Sequence, residues 1–147
     1  MRTSPRPRRV CSLAADCRSL PPPAIASPLD GGLGHVLVEA SDGVATLRLT
    51  PTPLAVGSEE PAFLHGGTLC TCIDTAAWYA ACSASEGEWV VSGLTAEFLR
   101  PGRIEDHRVT ARCRRAGRTL AVVDVEIAPW DDRERIVALG RATLIRA

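Results

Sequence analysis

The chain has 147 residues, with 17 basic and 17 acidic side chains and a hydrophobic fraction of 46%. That is the size of one domain, with enough apolar residues for a core. The zero formal charge gives no whole-chain case for nucleic-acid binding, and no apolar run is long enough to cross a membrane.

Aromatic residues are only 4% of the chain, so the core must come from Val, Leu, Ile and Ala. Six cysteines are present, with no CxxC pair, and His35, His65 and His107 do not combine with them at metal-ligand spacing. Three of the six, Cys70, Cys72 and Cys82, lie in an alanine-rich stretch where a thiol serves as a small hydrophobe. The expectation is a cytoplasmic protein with reduced cysteines and no metal.

Residues 1–28 are rich in Pro, Arg and Ser, include Pro21, Pro22 and Pro23 in succession, and show no sustained periodicity. They read as a disordered basic tail, leaving 29–147 as the folded domain. Leu29–Gly34 reads as a turn. His35–Ala40 and Val44–Thr50 read as two strands joined through Asp42-Gly43, a strong hairpin signal. Pro51–Pro61 reads as a loop.

From Gly67 to Ala84 there is no proline and no internal glycine, and Leu69, Cys72, Ile73, Ala76 and Ala80 recur at helical spacing. Gly87 is a plausible stop. The stretch is apolar nearly all round, which predicts burial on more than one side. Four strand-like segments follow, 89–99, 104–115, 119–129 and 135–146, with turn residues between them. In the last, Ile136, Ala138, Gly140, Ala142 and Leu144 share one face, small at its centre, against which the helix can pack closely. Two strands, a long buried helix and four more strands make an α+β arrangement, one helix wrapped by an antiparallel sheet.

Two features of the helix carry chemistry. His65-Gly66-Gly67 opens it, and the free backbone N–H groups of a first turn without side-chain bulk suit an oxyanion; the same glycines also serve simply to turn the chain. Asp74 lies inside the apolar run, where a carboxylate is costly without partners. It is either a satisfied hydrogen-bonder or a general base or nucleophile. Eight residues of helix put Gly66 and Asp74 roughly 12 Å apart, too far to meet at one carbonyl. If both are catalytic, two chains must share each site, and the protein is a two-fold oligomer.

His65-Gly66-Gly67, Asp74 nine residues after the histidine, Thr75-Ala76, Ser92 and the strand Leu94–Gly102 together resemble the hot-dog-fold acyl-CoA thioesterases, and among them the phenylacetate-pathway type. The resemblance covers about residues 35–147. It implies a hot-dog fold and hydrolysis of an acyl-CoA by a homodimer or dimer of dimers. No cofactor is implied, coenzyme A being part of the substrate. It makes Asp74 the catalytic carboxylate and Gly66 the partner-supplied N–H that polarises the thioester carbonyl. Ser92 would help to place water or Asp74. The turn Ala116–Leu120, with Gly117 and Arg118, resembles one near which coenzyme A phosphates lie. His65, Gly67, Trp78 and Arg100 are further candidates for substrate contact.

One position departs from the family. Six residues before the histidine, where an Asn or Gln is usual, stands Glu59. A carboxylate cannot donate the amide's hydrogen bond, so either the loop takes another register, or Glu59 is a recruited acid/base, or hydrolysis is impaired. The last possibility keeps a non-catalytic acyl-CoA-binding domain as the alternative. A hot-dog hydratase is disfavoured, because here the helix carries a carboxylate rather than the histidine such enzymes present.

Overall fold

A computed structural model describes residues 25–147. The tail reading of residues 1–24 lies outside the described residues. Residues 25–28 are part of the fold, and they begin a helix that the sequence reading took for a turn. Helix α1 is Pro28–Leu33. Ser27 caps it and proline occupies its first position. Gly34, at φ 97°, closes it in the left-handed region that glycine tolerates.

Strands β1 (His35–Ser41) and β2 (Val44–Leu49) form the expected hairpin. Asp42 and Gly43 both have positive φ, 49° and 79°, the backbone of a tight two-residue hairpin turn. The segment read as a loop is more ordered than its prolines suggest. A 3-10 turn at Pro53–Ala55 leads into a small hairpin of β3 (Val56–Glu59) and β4 (Ala62–Leu64), with a cis Glu60–Pro61 bond at its tip. Helix α2 then runs from Gly66 to Ala84, one residue earlier than predicted at its start, and Ser85 rather than Gly87 caps its end.

The last four strands are β5 (Trp89–Phe98), β6 (His107–Ala116), β7 (Leu120–Pro129) and β8 (Ala138–Arg146). β6 and β8 each begin three residues later than the alternation suggested. In both cases loop residues precede the strand, and their side chains or carbonyls bind Arg135 and Arg100.

The main sheet has the order β1-β2-β6-β7-β8-β5, antiparallel throughout, and wraps α2. This is the hot-dog fold. Leu47, Leu49, Val109, Val123, Ile127 and Leu144 point inward, against Leu69, Cys72, Ile73, Ala76 and Ala80 of the helix. Along β8 the small face does what its residues predicted. A Cβ added to Gly140 would lie 2.6 Å from Ile73 Cδ1, so only glycine lets α2 come this close.

The outer face is polar and exposed. Asp124 accepts from both Arg114 and Arg141, and the ring of Trp130 lies between the guanidiniums of Arg48 and Arg108, at 4.4 and 3.9 Å. No described helix is long and apolar enough to cross a membrane.

Candidate active site

α2 is buried along most of its length, yet Asp74 is only half-buried. It opens onto a cleft of about 630 Å³ lined by Ala26, Ser27, Pro28 and Asp30 on one side and Trp78, Trp89, Val90 and Val91 on the other. No donor among the described residues reaches the Asp74 carboxylate. Burial, and then the negative charge of Asp30, push its proton affinity above the usual carboxylate range.

Trp78, one turn beyond Asp74, lines the same cleft and is fixed by donating from Nε1 to the Trp89 carbonyl, 3.0 Å. Trp89 is buried at the cleft wall. Phe98 is not a core residue: it is 52% exposed and lies beside Gly66, where an added Cβ would sit 3.2 Å from its ring. Phe98 ends β5, the sheet's edge strand, whose inward neighbours include small Ala96 and which has no strand beyond it to bury the ring.

At the helix start, His65 is the N-cap. Its Nδ1 accepts from the Gly67 N–H at 2.8 Å, so that donor is occupied and His65 holds the turn. The Gly66 N–H has no acceptor among the described residues. The two features of α2 thus face different surroundings: an open backbone donor at its first residue, and an unpartnered carboxylate two turns on.

The structure does not bring the remaining candidates to Asp74 within one chain. Ser92 sits on a bulge of β5, exposed, and donates to the Thr143 carbonyl at 3.1 Å. Glu59 is exposed at the end of β3, paired with Ala62. Arg100 donates to the Ile136 carbonyl at 2.6 Å. Gly117 closes the β6–β7 turn through its N–H to the Leu120 carbonyl, 2.8 Å, with Arg118 exposed at the tip.

Sequence reasoning missed the residues beneath the cleft. Asp30 and His35 are both buried, at 3% and 1% exposure. Asp30 accepts from His35 Nδ1 (2.9 Å), Thr75 Oγ1 (2.7 Å) and Ser27 Oγ (2.5 Å). Burial alone would raise its proton affinity, but these three donors outweigh it and hold the carboxyl below its usual range. The other ring nitrogen of His35 meets Cys72 Sγ at 2.6 Å. Burial, followed by the charge of Asp30, pushes the Cys72 thiol well up, so it keeps its proton. Only the Ser27–Asp30 spacing of a capping box hinted at any of this.

The hot-dog scaffold thus carries an apolar cleft holding a carboxylate of raised proton affinity, on a helix whose glycine start leaves a backbone donor open among the described residues. The Thioesterase superfamily profile matches residues 62–136. The medium/long-chain acyl-CoA thioesterase YigI of Escherichia coli K12 is 30% identical over 131 residues, spanning 79% of this chain and 83% of its own. The chain belongs to the thioesterase superfamily. Among solved structures, the E. coli PaaI protein from the phenylacetic acid degradation operon superposes with a TM-score of 0.73 at 30% identity, covering 83% of this chain and 86% of that one. A conserved Pseudomonas aeruginosa protein gives 0.75 at 25% identity, covering 82% and 94%.

Proposed function

We propose that the protein is an acyl-CoA thioesterase whose active sites lie between two copies of the chain. The observation that carries this reading is Asp74: a carboxylate without a donor among the described residues, more basic than usual, in an apolar cleft. A carboxylate of raised proton affinity, open to a cleft that admits water, can serve as a general base.

Water attacks the thioester carbonyl carbon while Asp74 takes one of its protons. The carbonyl electrons move onto oxygen, which Gly66 N–H of the partner subunit holds. Collapse re-forms the carbonyl and breaks the C–S bond. The departing sulfur takes the proton from Asp74, leaving a carboxylic acid and free coenzyme A. No cofactor enters this scheme. Ser92 and Glu59 are proposed to reach the site from across the interface, and Arg100, Gly117 and Arg118 to meet the coenzyme. His65 and Gly67 serve by fixing the turn that presents Gly66.

Two observations support the shared site. Gly66 and Asp74 lie on one straight helix, roughly 12 Å apart. β5 is an edge strand, and it leaves Val90 and Phe98 about half exposed beside Asp74 and Gly66 respectively. Pairing of two such edges gives a homodimer, and a dimer of dimers is a further step. The four described cysteines are free, which suits a reducing cytoplasm.

For the acyl group, the likeness to PaaI supports the phenylacetate type, and YigI is by name a medium- and long-chain enzyme. Thiol release over a panel of aryl, medium- and long-chain acyl-CoAs separates them. The alternative, a non-catalytic acyl-CoA-binding domain, is favoured by Glu59 alone. Calorimetric binding with no turnover would select it.

The backbone donor has its own test. Gly66 is the first helical residue, whose N–H the helix does not use, and His65 at φ −66°, ψ 136° has the backbone a following proline requires. Gly66→Pro should keep the fold and lose about 100-fold in kcat. Gly66→Ala, which meets Phe98 in the same way but keeps the N–H, should lose far less.

A further inference from the structure

Asp30 belongs to no part of the thioesterase scheme above, yet it lines the same cleft as Asp74. It comes from α1, on the opposite wall. Three donors from three different elements converge on its two oxygens: Ser27 before α1, His35 of β1 and Thr75 of α2. Thr75 is the next residue after Asp74. A buried carboxylate this well supplied stays ionised, and it cannot turn away, since each donor is itself held. Ser27 caps α1, and His35 is pinned by Cys72 on its far nitrogen. Asp30 cannot itself act as the base, because all its accepting directions toward these elements are filled and it is 3% exposed. Nor do Asp30, His35 and Cys72 form a metal site, because the two ring nitrogens point in opposite directions.

We infer that Asp30 is a positioning residue for the reaction: three donors hold its negative charge in the wall of the cleft that it shares with Asp74, where it acts on Asp74. The inference rests on the thioesterase reading of Asp74. Asp74 gains basicity from a neighbour of like charge as well as from burial. The other titratable groups around the cleft are few. His35 of β1 lies behind Asp30, and Cys70 and Cys72 precede Asp74 on α2. The β5 wall, Trp89 to Val91, has none. Arg146 of β8 stacks on Trp89 at 4.6 Å and donates to the Glu86 carbonyl.

The test is a carbon-13 NMR titration of the full chain labelled at the aspartate carboxyls. In Asp30→Asn the Asp74 midpoint should fall by about one pH unit. The acid limb of kcat/KM should move down by the same amount, and kcat at neutral pH should fall roughly threefold, as expected for a weaker base. An Asp74 midpoint that stays where the wild type has it overturns the inference and assigns the effect to burial alone. If Asp30→Asn does not fold, Asp30→Ser is titrated instead, and an Asp74 midpoint that stays at the wild-type value there overturns the inference in the same way. The NMR reading needs no turnover. A chain that hydrolyses no acyl-CoA while the midpoint shifts as stated would refute the thioesterase scheme and leave the pairing of Asp30 with Asp74 standing.

Discussion

Asp30 and Asp74 face one cleft and differ in almost every other respect. Asp30 is buried, receives three hydrogen bonds and holds its proton weakly. Asp74 is half-buried, receives none from the described residues and holds its proton more tightly than usual. Burial pushes both in the same direction, so burial does not explain the contrast. Donors do. The polar contacts of the described residues go to Asp30 and none goes to Asp74, the base of the proposed scheme. An unpartnered carboxylate at a half-buried position is what marks it as the candidate.

The strongest break of this comparison is Asp74→Ala. Thiol release should drop at least about 100-fold, with circular dichroism and melting unchanged or improved. If the variant hydrolyses acyl-CoA like the wild type, Asp74 is not the base. Asp30→Asn should act mainly on stability, because it disturbs three buried bonds to a charged group. A loss of about 2 kcal/mol or more in urea unfolding is expected. A loss no larger than that of a surface substitution would mean the network is dispensable.

The smallest effect concerns pH. Asp74 has a folded proton affinity above its unfolded value near 3.8, so the folded state binds more protons than the unfolded one in the window just above that value. Ionising Asp74 therefore costs stability as pH rises through the window. Asp74→Asn should be more stable than wild type above it, and the advantage should vanish below pH 3.8. Asp30 has the opposite sign. Its contribution is present above its unfolded value of 3.8 and disappears as pH falls through its lower folded one. Parallel urea midpoints for the two variants from pH 3 to 8 should diverge with rising pH; curves that stay parallel would contradict both assignments.

Much of the fold was readable because local signals agreed with one another. Asp42-Gly43 marks a turn that only positive φ allows, and the helical recurrence from Leu69 to Ala80 matches the buried face of α2. Gly140 announced the helix contact by its size alone. The misses have a common cause. Two glycines in α1 and prolines around β3 and β4 speak against regular structure locally, and tertiary packing overrides them. Even so, Ser27, Pro28 and Gly34 were a complete set of cap signals. Of the site, Asp74 was visible as a charge in an apolar run. The Asp30 network was not, since it joins residues 45 and 37 positions apart through the register of three elements, which no periodicity encodes.

The seat of Ile73 over Gly140 has one more consequence. It lies next to Asp74 in sequence and locks α2 against β8 at that point, in both slide and roll. The helix is then a ruler with a fixed phase. Each residue along it turns the side chain by about 100°, so inserting or deleting one residue between Gly66 and Asp74 must either turn the start of α2 relative to the cleft or drive Asp74 into the sheet. Length variation in this protein's relatives should accordingly fall in the hairpin before α2 or in the turns beyond it, and not between those two residues.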